Sequence, residues 1–190
     1  MFIIKNKYFL IIKNINDINL NILKKHNKFI IIYRSDKIND KINDIIQFRK
    51  KCRLKKIKFY IANNLKLCVL TKSDGVYLSS YNRSFKPLNI KKSNFDIIGS
   101  AHNFREINLK IKQGCNYILL SKLFLVQYDK TAPYLGLVKY SKHINEFCKD
   151  LIPLGGININ NLLKLKNLNC KGFAVMSEVK KKPAIIDRLF

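Results

Sequence analysis

Short apolar runs recur along the chain at residues 7–13, 28–33, 57–61, 74–78, 95–99, 116–120, 151–154 and 172–176. Most are apolar throughout rather than alternating, the pattern of strands covered on both faces in a parallel sheet. The segments between them carry helical spacing. Ile38, Ile42, Ile45, Ile46 and Arg49 mark one face of one segment, and Leu137, Tyr140, Ser141, Ile144, Phe147 and Cys148 mark another. A further amphipathic stretch at 162–168 predicts a helix between the last two runs. Regular alternation of this kind means βα units joined by right-handed crossovers. Eight units predict an α/β fold of the (β/α)8 TIM-barrel type. The 190 residues fall short of the ~250 usual for that fold, so one or two helices are expected to be missing, first of all around 82–92. A doubly wound open sheet is the structural alternative.

In a parallel barrel the chemistry sits at the carboxyl ends of the strands. Those ends read Tyr33-Arg34-Ser35-Asp36, Ala62-Asn63-Asn64, Ser79-Ser80-Tyr81-Asn82, Ser100-Ala101-His102 and Ser121-Lys122-Leu123-Phe124, followed by Gly155-Gly156 and by Met176-Ser177. Free backbone N–H groups at Gly156 and in the turn after Met176, with the Ser177 hydroxyl, predict an anion pocket suited to phosphate.

Charge changes this picture little. There are 37 basic and 12 acidic residues, a net +25, which invites a nucleic-acid reading. The excess is mostly Lys, spread over every segment together with abundant Asn and Ile, so nucleic acid is not the expected partner; a small anionic molecule is. Five cysteines at wide, unpaired spacing exclude a disulfide framework or zinc knuckle. No signal-peptide anatomy and no apolar run near the ~20 residues of a membrane span is found, so a cytoplasmic protein without membrane contact, one domain over residues 1–190, is expected. It is open to homo-oligomerisation.

Read in order, Tyr33-Arg34, Asn63-Asn64, Asp74-Gly75-Val76-Tyr77-Leu78, Ile98-Gly99-Ser100-Ala101-His102, Gly114-Cys115-Asn116-Tyr117-Ile118, Gly155-Gly156-Ile157 and Gly172-Phe173-Ala174-Val175-Met176-Ser177 resemble thiamine phosphate synthase and its relative, thiazole tautomerase. The resemblance covers residues 28–179. It implies a (β/α)8 barrel whose thiazole-phosphate pocket is formed here by Gly156, Met176 and Ser177, with Lys130 from the loop after the sixth strand. In the synthase, thiazole phosphate displaces pyrophosphate from an aminopyrimidine diphosphate held by magnesium. In the tautomerase, a proton moves within a thiazole carboxylate phosphate.

Set beside the synthase pattern, the diphosphate half of the site is eroded. Of its Gln-x-Arg-x-Lys string only Arg34 remains, with Asp36 in the lysine place, and the two metal-binding acids are replaced by Asn63 and Asn82. Amides are poor substitutes for carboxylates toward a hard cation, so no cofactor is expected unless the synthase reaction is retained with Mg2+. The resemblance therefore implies tautomerase-like proton transfer on thiazole phosphate. His102 is the acid/base, because an imidazole both takes and returns a proton near neutrality, and Ser100 is its polar support. Thiamine phosphate synthesis, with Asn63 and Asn82 holding the metal, and non-catalytic binding of a phosphate ligand are the alternatives.

Overall fold

A computed structural model of the chain describes residues 6–23, 26–35, 40–90, 95–126, 129, 131–147 and 149–176. Eight parallel strands close a barrel: β1 (Lys7–Ile12), β2 (Phe29–Tyr33), β3 (Lys58–Ala62), β4 (Gly75–Leu78), β5 (Asp96–Ala101), β6 (Tyr117–Ser121), β7 (Asp150–Leu154) and β8 (Gly172–Val175). Each strand pairs with its sequence neighbours. The seam is β1 against β8, in the register Phe9 to Ala174. All eight apolar runs are strands, within two residues of the expected bounds at either end.

Alternate side chains along each strand face opposite ways, and both sets are buried. Phe9, Ile32, Tyr60, Tyr77, Ile98 and Leu119 fill the barrel with their equivalents on the other strands. Tyr8, Leu10, Phe29, Ile31, Phe59 and Phe173 face outward under the helices. This double burial is why the strands read as unbroken apolar runs.

Four crossovers are α-helical: α1 (Ile42–Leu54), α2 (Leu65–Thr71), α3 (Phe104–Lys112) and α4 (Gly136–Glu146). The helices after β3 and β5 start where an Asn side chain takes up a free N–H, Asn64 accepting from Leu67 and Asn103 from Glu106. Among the described residues, the connections after β1, β4 and β7 carry only short 3-10 turns. The expected gap around 82–92 is one of these. The stretch at 162–168 is a 3-10 segment, Leu162–Asn167, rather than the helix its spacing predicts. The cause lies just before it, where Asn158 and Asn161 side chains capture local backbone N–H groups and fix a tight turn. Among the described residues no helix is long and apolar enough to cross a membrane.

Candidate functional site

The carboxyl rim is built by strand parity. On β2, Ile32 points inward and Tyr33 outward, so Arg34, one residue past the strand and held by its N–H to the Ile12 carbonyl at 2.8 Å, continues the inward series. Tyr33 is anchored outside, its hydroxyl donating to Asp40 at 2.9 Å. Burial first, and the Asp40 carboxylate second, push that phenol up to about 12.

Tyr77 on β4 lies inside the barrel, fully buried, and its hydroxyl closes no hydrogen bond among the described residues. The polar side chains it faces are Ser100 of β5 and Arg34. Burial raises the phenol above its ordinary range, against the opposing pull of Ser100 and Arg34, so Tyr77 remains a neutral O–H donor. One fixed positive charge and two hydroxyls thus converge beneath the mouth. This is an arrangement that can receive an anion's oxygen atoms.

Asn63 and Asn82 are brought together, but by each other. The Asn63 carbonyl oxygen accepts from Asn82 Nδ2 at 2.9 Å and from the Ser79 N–H at 3.1 Å. Its amide nitrogen donates to Ser79 Oγ at 2.6 Å and to the Tyr81 hydroxyl at 3.2 Å. Asn82 Oδ1 accepts from the Ser84 N–H at 2.8 Å. Of the oxygens that would have to ligate magnesium, Asn63 Oδ1 already takes two N–H donors and Asn82 Oδ1 one, and a neutral amide is a weak ligand for a hard cation. As they stand, these two residues do not fit a magnesium site. Among the described residues no three His, Cys, Asp or Glu gather to form another.

The loop carrying Asn82 is bolted from behind by a residue the sequence reading passed over. Lys110 of α3 is wholly buried, and its ammonium donates to the carbonyls of Ser79 at 2.8 Å and Asn82 at 2.7 Å and to Gln113 Oε1 at 2.9 Å. Gln113 Nε2 in turn donates to the carbonyls of Asn82 and Ser84. Burial lowers the Lys110 ammonium below its ordinary range.

His102 stands exposed at the end of β5 with both its backbone and its ring tied. Its N–H donates to Glu106 Oε2 at 2.8 Å, within the reciprocal Asn103–Glu106 arrangement that starts α3. Its Nδ1 lies 2.9 Å from Ser121 Oγ and 3.3 Å from the Ser121 carbonyl. A carbonyl only accepts, so the tautomer with the proton on Nδ1 satisfies both contacts and leaves Nε2 as the unprotonated nitrogen. The ring's hydrogen-bonding partner is therefore Ser121, whereas Ser100 sits deeper, against Tyr77. Strand parity was the available signal: Ile98, Ser100 and His102 on one strand, and Leu119 and Ser121 on the next, continue inward-facing series.

The Gly pair follows β7. Both residues have positive φ, 95° at Gly155 and 69° at Gly156. A Cβ on Gly156 would lie 2.4 Å from the Leu125 carbonyl oxygen and 2.5 Å from that of Phe124. Glycine is thus required here by close packing of the loop after β6, which is also stitched on through Phe124 N–H to the Gly155 carbonyl at 3.1 Å. Asn161 Nδ2 caps the Gly156 carbonyl at 2.7 Å. Met176, past β8, packs half-buried against the barrel interior. Ser177 and Lys130 lie outside the described residues.

Comparison with known proteins bears on the fold. Residues 2–179 match the model of the thiamine monophosphate synthase family. The chain is 31% identical over 151 residues to a thiamine-phosphate synthase of Prochlorococcus marinus subsp. pastoris, covering 78% of this chain and 43% of that protein. It is 25% identical over 167 residues to one from Dictyoglomus turgidum, covering 84% and 73%. The chain thus spans less than half of the first relative. Among solved structures, the thiamine phosphate pyrophosphorylase of Pyrococcus furiosus superposes with a TM-score of 0.70 at 16% identity over 97% of each chain, a likeness of fold.

Proposed function

The chain belongs to the thiamine monophosphate synthase family, and from that premise we propose that it acts in thiamine biosynthesis as a synthase, joining thiazole phosphate to an aminopyrimidine diphosphate with release of pyrophosphate. The observation that carries this reading is the convergence of Arg34, the neutral Tyr77 hydroxyl and Ser100 under the barrel mouth. When the bond to the diphosphate breaks, the leaving group takes the electron pair and negative charge grows on its oxygens. A guanidinium and two hydroxyls brought together in this way suit that charge. The thiazole phosphate tail is assigned to Gly156 and Met176 at the opposite lip, with Ser177 the next residue in sequence. The relatives that carry the synthase name support the same reading. Because the Asn63–Asn82 pair does not fit magnesium, no step is assigned to a metal held there.

A second reading rests on a different observation. Ser121 fixes the His102 ring by Nδ1 and leaves Nε2 unprotonated, which suits proton transfer within a thiazole carboxylate phosphate and needs neither magnesium nor the pyrimidine. The two readings separate in one assay of purified protein with both synthase substrates, with and without Mg2+, and separately with the thiazole carboxylate phosphate. The synthase reading expects pyrophosphate and thiamine phosphate in equal amounts, with turnover cut at least 100-fold in Arg34→Ala. Isomerisation of the carboxylate without pyrophosphate release, lost in His102→Gln, would replace it with the second reading.

A further inference from the structure

The opposite end of the barrel carries a feature that the rim chemistry does not use. A cavity of about 590 Å³ opens at the amino-terminal ends of β3 and β4, between the C-termini of α1 and α2. Its volume is in the range of small-molecule sites. The basic side chains on its wall are Arg49, Arg53, Lys56, Lys58 and Lys72, and the one acidic side chain is Asp74. In sequence these residues are scattered; the fold gathers them.

Two of the cations are spoken for. Arg49 bonds Asp74 Oδ1 through Nη2 at 2.8 Å and the Lys72 carbonyl through Nε at 3.2 Å. Lys58 pairs with Asp96 at 2.6 Å. Arg53, Lys56 and Lys72 have no acidic partner among the described residues. Arg49 is 8% exposed, and its Nη1 finds no acceptor in the described structure. The edge of the cavity thus carries uncompensated charge, with Arg49 buried behind it.

Basic residues at helix C-termini have an ordinary explanation, the negative end of the helix dipole. That accounts for roughly half a unit of charge per helix, so α1 and α2 together offset at most about one of the three unpaired cations. Lys56 and Lys72 also sit at positive φ, 54° and 51°, a conformation that glycine takes more cheaply. The chain keeps lysine in both places, each exposed beside the cavity.

We propose that this cavity is a second anion site, at the foot of the barrel, for a small molecule bearing two or more phosphate groups, held by Arg53, Lys56 and Lys72 against the wall formed by Arg49. A single phosphomonoester offers three separate cations one phosphate group, whereas a diphosphate or triphosphate offers them successive groups along its length. Ile57, Val69 and Phe95 supply an apolar side to the same cavity, suited to the organic part of such a molecule. The Asp74 carboxylate is turned into the Arg49 and β3 contacts, with Oδ2 accepting the Phe59 N–H at 2.7 Å.

The site is independent of the reaction assigned to the rim. Its test is calorimetric titration of the full chain with inorganic tripolyphosphate and pyrophosphate at 150 mM salt. Arg53→Gln/Lys72→Gln should weaken tripolyphosphate binding at least tenfold, and Lys56→Asn, which tolerates positive φ, should weaken it severalfold. Lys139→Gln/Lys142→Gln on α4 removes the same charge elsewhere and should leave the tripolyphosphate Kd within twofold; Arg34→Ala should leave this component in place while removing any pyrophosphate bound at the rim. Equal loss in the α4 control would reduce the effect to net charge and overturn the proposal. So would loss in Arg34→Ala with the Arg53/Lys72 variant unaffected, which would place the binding at the rim.

Discussion

Replacing Lys110 by Met tests how the rim loop after β4 is held. Lys110 is completely buried, and its ammonium makes three hydrogen bonds, all to neutral acceptors. Hydrogen bonds from a charged donor contribute about 1.5–3 kcal/mol each, so simple counting puts the cost of Lys110→Met at about 4.5–9 kcal/mol. The structure argues for much less. The Ser79 carbonyl keeps the Asn82 N–H at 2.9 Å, and the Asn82 carbonyl keeps Gln113 Nε2 at 3.1 Å. Only Gln113 Oε1 loses its donor among the described residues. Removing the charge also removes the burial penalty that lowers the ammonium's pKa. What remains is one buried acceptor without a partner, about 1–3 kcal/mol. For a chain of this size that is ~2–4 °C in Tm per kcal/mol. Urea unfolding should show the midpoint falling at unchanged slope, and amide exchange should quicken in residues 79–84 while β4 stays protected. A loss above ~5 kcal/mol, at the bond-counting level, would refute the reasoning by showing that the ammonium's bonds outweigh its desolvation; no loss at all would show that the loop is not held from α3.

Other expectations follow from the same contacts. Gly156→Ala should cost about 2–4 kcal/mol, from the positive φ and the overlap with two carbonyl oxygens, read as a drop in the urea midpoint; an unchanged midpoint would mean that the loop after β6 yields freely. Asn63→Asp/Asn82→Asp places two carboxylates where two amides now bond each other, so Tm should fall in chelator and recover in millimolar Mg2+; a fall without recovery would show that restored acids alone do not rebuild a metal site. Burial pushes the Cys52 and Cys115 thiols up from 9.0 to about 12. Their folded pKa is raised, so above pH 9 the unfolded chain releases protons that the folded one retains, and stability falls as pH rises from 9 toward 12, by up to ~1.4 kcal/mol per unit for each thiol. Cys52→Ala/Cys115→Ala should flatten that slope in pH-dependent urea unfolding, and an identical slope would remove the thiols as its cause.

The strands were legible because a barrel wall buried on both faces leaves unbroken apolar runs, which no other local rule imitates over so many repeats. The 3-10 connection after β7 was not, since the spacing of Leu162, Leu165 and Leu168 suits a helix and the Asn158 and Asn161 side-chain bonds that tighten its start are tertiary detail. At the rim, Arg34, Asn63, Asn82 and His102 were visible as polar residues closing apolar runs. Ser121 was read at its strand end, yet its pairing with His102 joins positions 19 residues apart. Lys110 looked like one more of the chain's many basic residues, and only burial sets it apart. The cations at the foot were judged scattered for the same reason: α1, α2 and the strands beside them bring together residues that share no sequence neighbourhood.

The ammonium locked behind Asn82 also bears on the electrical potential at that lip. A positive charge 2.7 Å from the Asn82 main-chain carbonyl favours incoming anions and disfavours divalent ions before any ligand chemistry begins. Carboxylates placed at 63 and 82 would therefore bind a divalent ion against that charge.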